Sequence, residues 1–198
     1  RQRQMCIRDR SKTGSGMTET ELKTYVDVSH EEGVIESDER EMILNVFDLN
    51  DSLARDIMIP RIDMTMVDVE TGYRSLQAVF KETMFSRIPV YEGEKDNIIG
   101  IVTLKDFFSN GRTDFSLRSI MREAYYTFET KKTDELLNEM RESSNSIAIV
   151  LDEYGACAGL ITMEDLLEEI VGEIRDEYDE EEKQLIQKIS AHRYRIDG

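Results

Sequence analysis

Two short runs in this chain place a hydroxyl three residues before a carboxylate: Thr103-Leu104-Lys105-Asp106 and Thr162-Met163-Glu164-Asp165. Each follows a β-branched stretch and opens an apolar-periodic one, which marks a strand-to-helix junction. At the second junction the aspartate can accept from sugar hydroxyls, while the threonine hydroxyl and the first helical N–H groups can donate to a phosphate. The same residues also fit a capping box, in which hydroxyl and carboxylate serve only the helix and contribute about 0.5–2 kcal/mol. Arg87, within Ser86-Arg87-Ile88-Pro89, complements them, because its planar fork suits paired charge-assisted bonds to phosphate oxygens.

A nucleotide-like ligand also needs an apolar slot. Candidates for it are Met64, Thr65, Phe85, Ile88 and Pro89 from one part of the chain and Leu160 and Ile161 from another, with Ser86 and Glu164 beside them. The Thr162/Asp165 pair is favoured over Thr103/Asp106, where Lys105 stands in place of Glu164. No nucleophile with a partnering base, closed metal set or Walker-type glycine loop is present, so an enzyme is not expected.

An internal repeat must position these residues. Ile57-Met58 is echoed by Ile120-Met121 at an offset of 63, and Gly100 to Asp106 by Gly159 to Asp165 at an offset of 59, so the two copies differ by four residues. Each copy reads as an extended segment (Met64 to Val69; Ala124 to Phe128), a helix, two short strands and a closing helix. The first helices carry Leu76, Val79, Phe80 and Met84, or Leu136, Leu137 and Met140, on one face. Methionines 42, 58, 84, 121 and 140 read as core. Before the repeat, a helical stretch restarts at Glu36-Ser37-Asp38-Glu39 with Met42, Ile43, Val46 and Phe47 as its apolar stripe. After it, Leu166, Leu167, Ile170, Val171 and Ile174 form a stripe on an otherwise acidic helix; residues 164–182 hold 11 acids and one cation, Arg175. That face reads as solvated, with weak divalent screening along Glu168, Glu169, Glu173, Asp176 and Glu177 as the alternative.

Charge limits the partners. The 198 residues carry −17 overall, with +4 in the first 16 and −21 in the rest, and no basic run follows residue 16. Such a balance repels a phosphate backbone, so nucleic acid is not expected. No stretch approaches the roughly 20 apolar residues of a membrane-spanning helix. Cys6 and Cys157, like His30 and His192, lie too far apart to suggest a zinc site or a disulfide framework.

Four segments together resemble the CorC / haemolysin-C-like family, relatives of the CNNM magnesium transporters. They are Ile57-Met58-Ile59-Pro60-Arg61-Ile62-Asp63-Met64, Ser86-Arg87-Ile88-Pro89-Val90-Tyr91, Asp152-Glu153-Tyr154-Gly155, and Gly159 to Asp165 continued to Ile174. Two departures are Ala156-Cys157-Ala158 after the third segment and Phe107-Phe108 in place of a more aliphatic pair.

The resemblance implies an α/β (α+β) fold, a tandem pair of CBS domains (a Bateman module) with pseudo-twofold symmetry and flanking helices. Residues 1–16 differ in composition from the rest and read as an adapter-like tail, while the resemblance implies 17–50 as a helical linker from a missing membrane domain, 51–113 and 114–176 as the two CBS domains, and 177–198 as an acidic linker opening a further domain. It also names the ligand, ATP with Mg2+, bound by a regulatory module at the cytosolic face of the membrane and controlling magnesium or cobalt transport. A homodimer is expected, and a dimerisation scaffold without nucleotide is the alternative.

Overall fold

The computed structural model of the chain describes residues 17–110 and 114–172, with the backbone of 186–190 and 193–196. Helix α1 (Glu19–Glu31) begins at a capping box in which Glu21 N–H donates to the Thr18 hydroxyl and Thr18 N–H donates back to the Glu21 carboxylate. Gly33, at φ +72°, turns the chain toward α2 (Ser37–Asp51), which starts where the sequence placed it. The stripe read for α2 requires correction. Met42, Ile43 and Val46 are exposed, because the helix meets the rest of the molecule along another edge, through buried Leu49 and through Asn45, whose amide donates to the Ile170 carbonyl at 3.3 Å.

The first copy comprises α3 (Ala54–Ile57), β1 (Ile59–Pro60), a 3-10 turn at Arg61–Asp63, β2 (Val67–Asp68), α4 (Tyr73–Thr83), β3 (Arg87–Tyr91), β4 (Ile98–Thr103) and α5 (Leu104–Ser109). The second comprises α6 (Leu117–Ile120), β5 (Tyr125–Phe128), α7 (Thr133–Glu142), β6 (Ile147–Leu151), β7 (Cys157–Thr162) and α8 (Met163–Val171). A hairpin of β8 (Ile186–Ser190) and β9 (Arg193–Ile196) follows. The segment expected from Ala124 to Phe128 forms β5 one residue later, whereas the one at Met64 to Val69 pairs only over β2.

The copies exchange their lead-in segments. One sheet runs β2-β3-β4 and the other β1-β7-β6-β5, so β1 of the first copy completes the second copy's sheet, Ile59 facing Leu160. Reciprocally, Arg122 of the second copy bridges Ile101 in β4. The cores follow suit. Leu117 and Ile120 pack with Leu76, Phe80, Ile88, Val90, Val102 and Phe107, whereas Ala54 packs with Leu136, Met140, Ala148, Val150, Ile161 and Leu166. Strand register also locates the length difference. The offset is 63 at Ile59/Arg122, 60 at Arg87/Ile147 and 59 at Thr103/Thr162, so three residues are added beside the 3-10 turn and one in the β3–β4 turn.

Phe107 is fully buried, stacked on Tyr73 at 4.6 Å between centroids and edge-on to Phe115, while Phe108 faces outward. Met140 is buried, and Met58 and Met121 pack against the cores. Met84 does not join them: it is 80% exposed and caps α4 in the left-handed region at φ 57°. Leu166 anchors α8, leaving Leu167 and Val171 exposed; Glu168 and Glu169 face solvent. Ile174, Glu173, Asp176 and Glu177 lie outside the described residues. No described helix is long and apolar enough to cross a membrane.

Candidate functional site

Two clefts open where the lobes meet, one beside each Thr-x-x-Asp junction. Arg87 of β3 and its equivalent Ile147 of β6 line both, together with Ser86 and Ser146. Each cleft is edged by a left-handed residue that turns the chain from helix to strand: Met84 after α4, and Ser144, at φ 55°, after α7.

The cleft at Thr162 has a volume of about 330 Å³, within the range of small-molecule sites. Of the residues singled out in the sequence, it brings together Met64, Thr65, Phe85, Ser86, Arg87, Pro89, Leu160, Thr162 and Glu164. Two assignments are corrected. Ile88 and Ile161 are fully buried in the separate lobe cores, because side chains alternate along a strand and their neighbours Arg87, Pro89, Leu160 and Thr162 take the cleft face. Sequence reasoning missed Ile59, Asp63, Met84, Ser146 and Ile147. The repeat held a signal for the last two, since a twofold cleft is lined by equivalent strand starts.

Asp165 stands beside this cleft rather than among its lining residues. Its Oδ2 accepts from Thr162 N–H at 2.8 Å while its own N–H donates to the Thr162 hydroxyl at 3.2 Å, a reciprocal helix cap. The Oδ1 atom takes no part in that cap. Arg87 is exposed and has no ion-pair partner among the described residues.

The cleft at Thr103 is larger, about 610 Å³, and differs in chemistry. Arg122 donates to Asp106 through Nε at 2.5 Å and Nη2 at 2.8 Å, and the Thr103 hydroxyl donates to Asp106 Oδ2 at 2.8 Å. First the guanidinium and then the hydroxyl hold the carboxyl down, from an ordinary 3.8 to about 2. A folded-state value below the unfolded one adds stability that is fully present above about pH 4 and disappears as pH falls from about 4 toward 2. Asp106→Asn should therefore lose stability near neutrality and show a flatter acid limb than the wild type; urea midpoints between pH 2 and 6 check this. Equal pH slopes in the two proteins would mean that the pair is solvent-screened.

Comparison with known proteins places this geometry. A CBS domain model matches residues 54–111 and again 117–172. The magnesium and cobalt efflux protein CorC of Escherichia coli (strain K12) is 38% identical over 186 residues, covering 92% of this chain and 64% of CorC. The chain spans less than two thirds of the length of the curated relatives it matches. Among solved structures, the CBS domain of a bacterial CNNM/CorC family Mg2+ transporter is 37% identical with a TM-score of 0.75, covering 80% of this chain and 99% of that one. The same type of domain in complex with ATP is also 37% identical, with a TM-score of 0.66 over 69% of this chain and 99% of that one. With two CBS domains in tandem and this similarity along most of its length, the chain belongs to the CorC / haemolysin-C-like family of CBS-domain proteins related to CNNM.

Proposed function

We propose that the cleft at Thr162 binds an adenine nucleotide as Mg-ATP, and that its occupancy regulates an ion-transport domain of the full-length protein. One observation carries the reading: an apolar slot, a guanidinium with no described ion-pair partner and a hydroxyl at a strand end converge in a single cleft between two lobes. The ATP complex of a related CBS domain supports the choice of ligand. The base lies among Met64, Phe85, Pro89 and Leu160, the ribose near Thr162 and the Oδ1 side of Asp165, and the phosphates toward Arg87.

Charge gives magnesium its role. Among the described residues, Asp63 and Glu164 line this cleft against Arg87 alone, one net negative charge where a triphosphate must sit. Magnesium on the phosphates, keeping several of its waters, offsets that repulsion. A ligand held between lobes stabilises one relative arrangement, by an amount limited to its differential affinity for the alternatives. The module therefore acts as a regulator at the cytosolic face of the membrane, with magnesium or cobalt as the transported ions and a transmembrane domain of the same protein as its partner.

Calorimetry with the purified chain tests this. Mg-ATP should give a saturable heat that weakens at least tenfold when magnesium is chelated, and a concentration of about 100 times Kd should add roughly 2.7 kcal/mol, or about 5–10 °C in Tm. A second reading rests on the exposed Leu167 and Val171 of α8 and Met42, Ile43 and Val46 of α2, which suit the face of a homodimer. No heat with ATP, AMP or S-adenosyl compounds, alongside a dimer in sedimentation, would leave the scaffold as the function.

A further inference from the structure

The two clefts share one scaffold but not one set of side chains. At equivalent positions, Ser144 and Asn145 replace Met84 and Phe85, Arg122 replaces Ile59, and Lys105 replaces Glu164. These exchanges take the thioether, the ring and the aliphatic chain of Met84, Phe85 and Ile59 out of the wall, while Ile101, Leu104, Phe108 and Tyr125 still line this cleft. The acceptor needed for ribose hydroxyls is removed as well, since Asp106 is taken up by Arg122 and Thr103. They leave three cations, Arg87, Lys105 and Arg122, against Glu123 on the rim and the paired Asp106. That is one net positive charge, in a chain of net charge −17 whose other cleft is net negative. Neither Arg87 nor Lys105 has an ion-pair partner among the described residues.

We infer that the cleft at Thr103 is a second site, for a compact phosphate anion of the pyrophosphate or polyphosphate class. Arg122 serves in it twice: its Nε and Nη2 keep Asp106 from repelling the anion, and its charge faces the space that Lys105 and Arg87 border. Specificity against nucleosides follows from the occupied carboxylate, which no longer accepts from ribose hydroxyls, and Arg87, which lines both clefts, is shared with the site at Thr162.

The test uses inorganic pyrophosphate without magnesium, titrated calorimetrically into the full chain, with adenosine and Mg-ATP in parallel. Saturable pyrophosphate binding is expected, with no competition from adenosine. Lys105→Gln, on an exposed side chain, should weaken it about tenfold and leave Mg-ATP affinity unchanged, the loss expected for one charge-assisted contact. Arg122→Gln should weaken it at least as much, with its thermal melt recorded as a check on folding. Absence of saturable pyrophosphate binding, or equal binding by wild type and Lys105→Gln, overturns the inference. So does loss of Mg-ATP affinity in Lys105→Gln, which would make this cleft the resting place of a nucleotide's own phosphate chain. A protein that binds pyrophosphate but never ATP would sink the nucleotide reading and leave this one standing.

Discussion

Arg87→Ala is expected to lower Mg-ATP affinity by ten- to a hundredfold while moving the Tm of the ligand-free protein by no more than a degree or two. The two halves of that expectation have separate causes. Among the described residues Arg87 is the only cation lining a cleft that also presents Asp63 and Glu164, so its removal both deletes paired charge-assisted bonds and leaves two carboxylates unopposed near the phosphates. Bonds to charged groups contribute about 1.5–3 kcal/mol, which sets the range. Folding loses little, because the side chain is exposed and has no ion-pair partner among the described residues. Arg87→Lys should recover only part of the loss, since an ammonium cannot form the paired geometry. The measurement is a titration of each variant beside a melt with and without Mg-ATP. Unchanged affinity in Arg87→Ala would move the phosphates out of this cleft and with them the proposed function.

Much of this architecture could be read before any coordinates, and the reasons are physical. Repeated Ile-Met and Gly-x-x-Thr-x-x-Asp patterns persist because each copy builds the same strand-helix junctions, so duplication and the starts of the closing helices follow from spacing alone. The failures have causes as definite. The apolar character of Ile88 and Ile161 points to the slot beside their immediate neighbours, but a strand cannot send consecutive side chains to one face. Met84 continued a helical period on paper, yet the helix ends there in a left-handed turn that no period announces. Exchange of lead-in segments was out of reach for another reason: a repeat reveals that two segments are equivalent, not which lobe each one packs against. Asp165 satisfied two chemistries with one pattern, and only the bond from Thr162 N–H showed that the cap already engages one of its oxygens.

The exchange makes two glycines decisive, and their replacement should separate the two clefts. A Cβ on Gly100 would stand 2.7 Å from the Arg122 carbonyl and 3.1 Å from Met121 Sδ, and one on Gly159 would press still closer on the Ile59 carbonyl, with Met58 Sδ 2.9 Å away. In each case the lead-in of one copy crosses a strand of the other at a distance only glycine permits, and the atom in the way is backbone that cannot swing aside. Gly159→Ala and Gly100→Ala should each destabilise the fold by about 1–3 kcal/mol, read from urea midpoints. Their effects on binding should diverge. Gly159→Ala pushes back Ile59, which lines the cleft at Thr162, so Mg-ATP affinity should fall several-fold. Gly100→Ala instead displaces Arg122, which lines the other cleft and holds Asp106, so pyrophosphate should weaken while Mg-ATP is spared. Equal losses of both ligands in both variants would mean that the lobes respond as one body and that the clefts are not chemically separate sites.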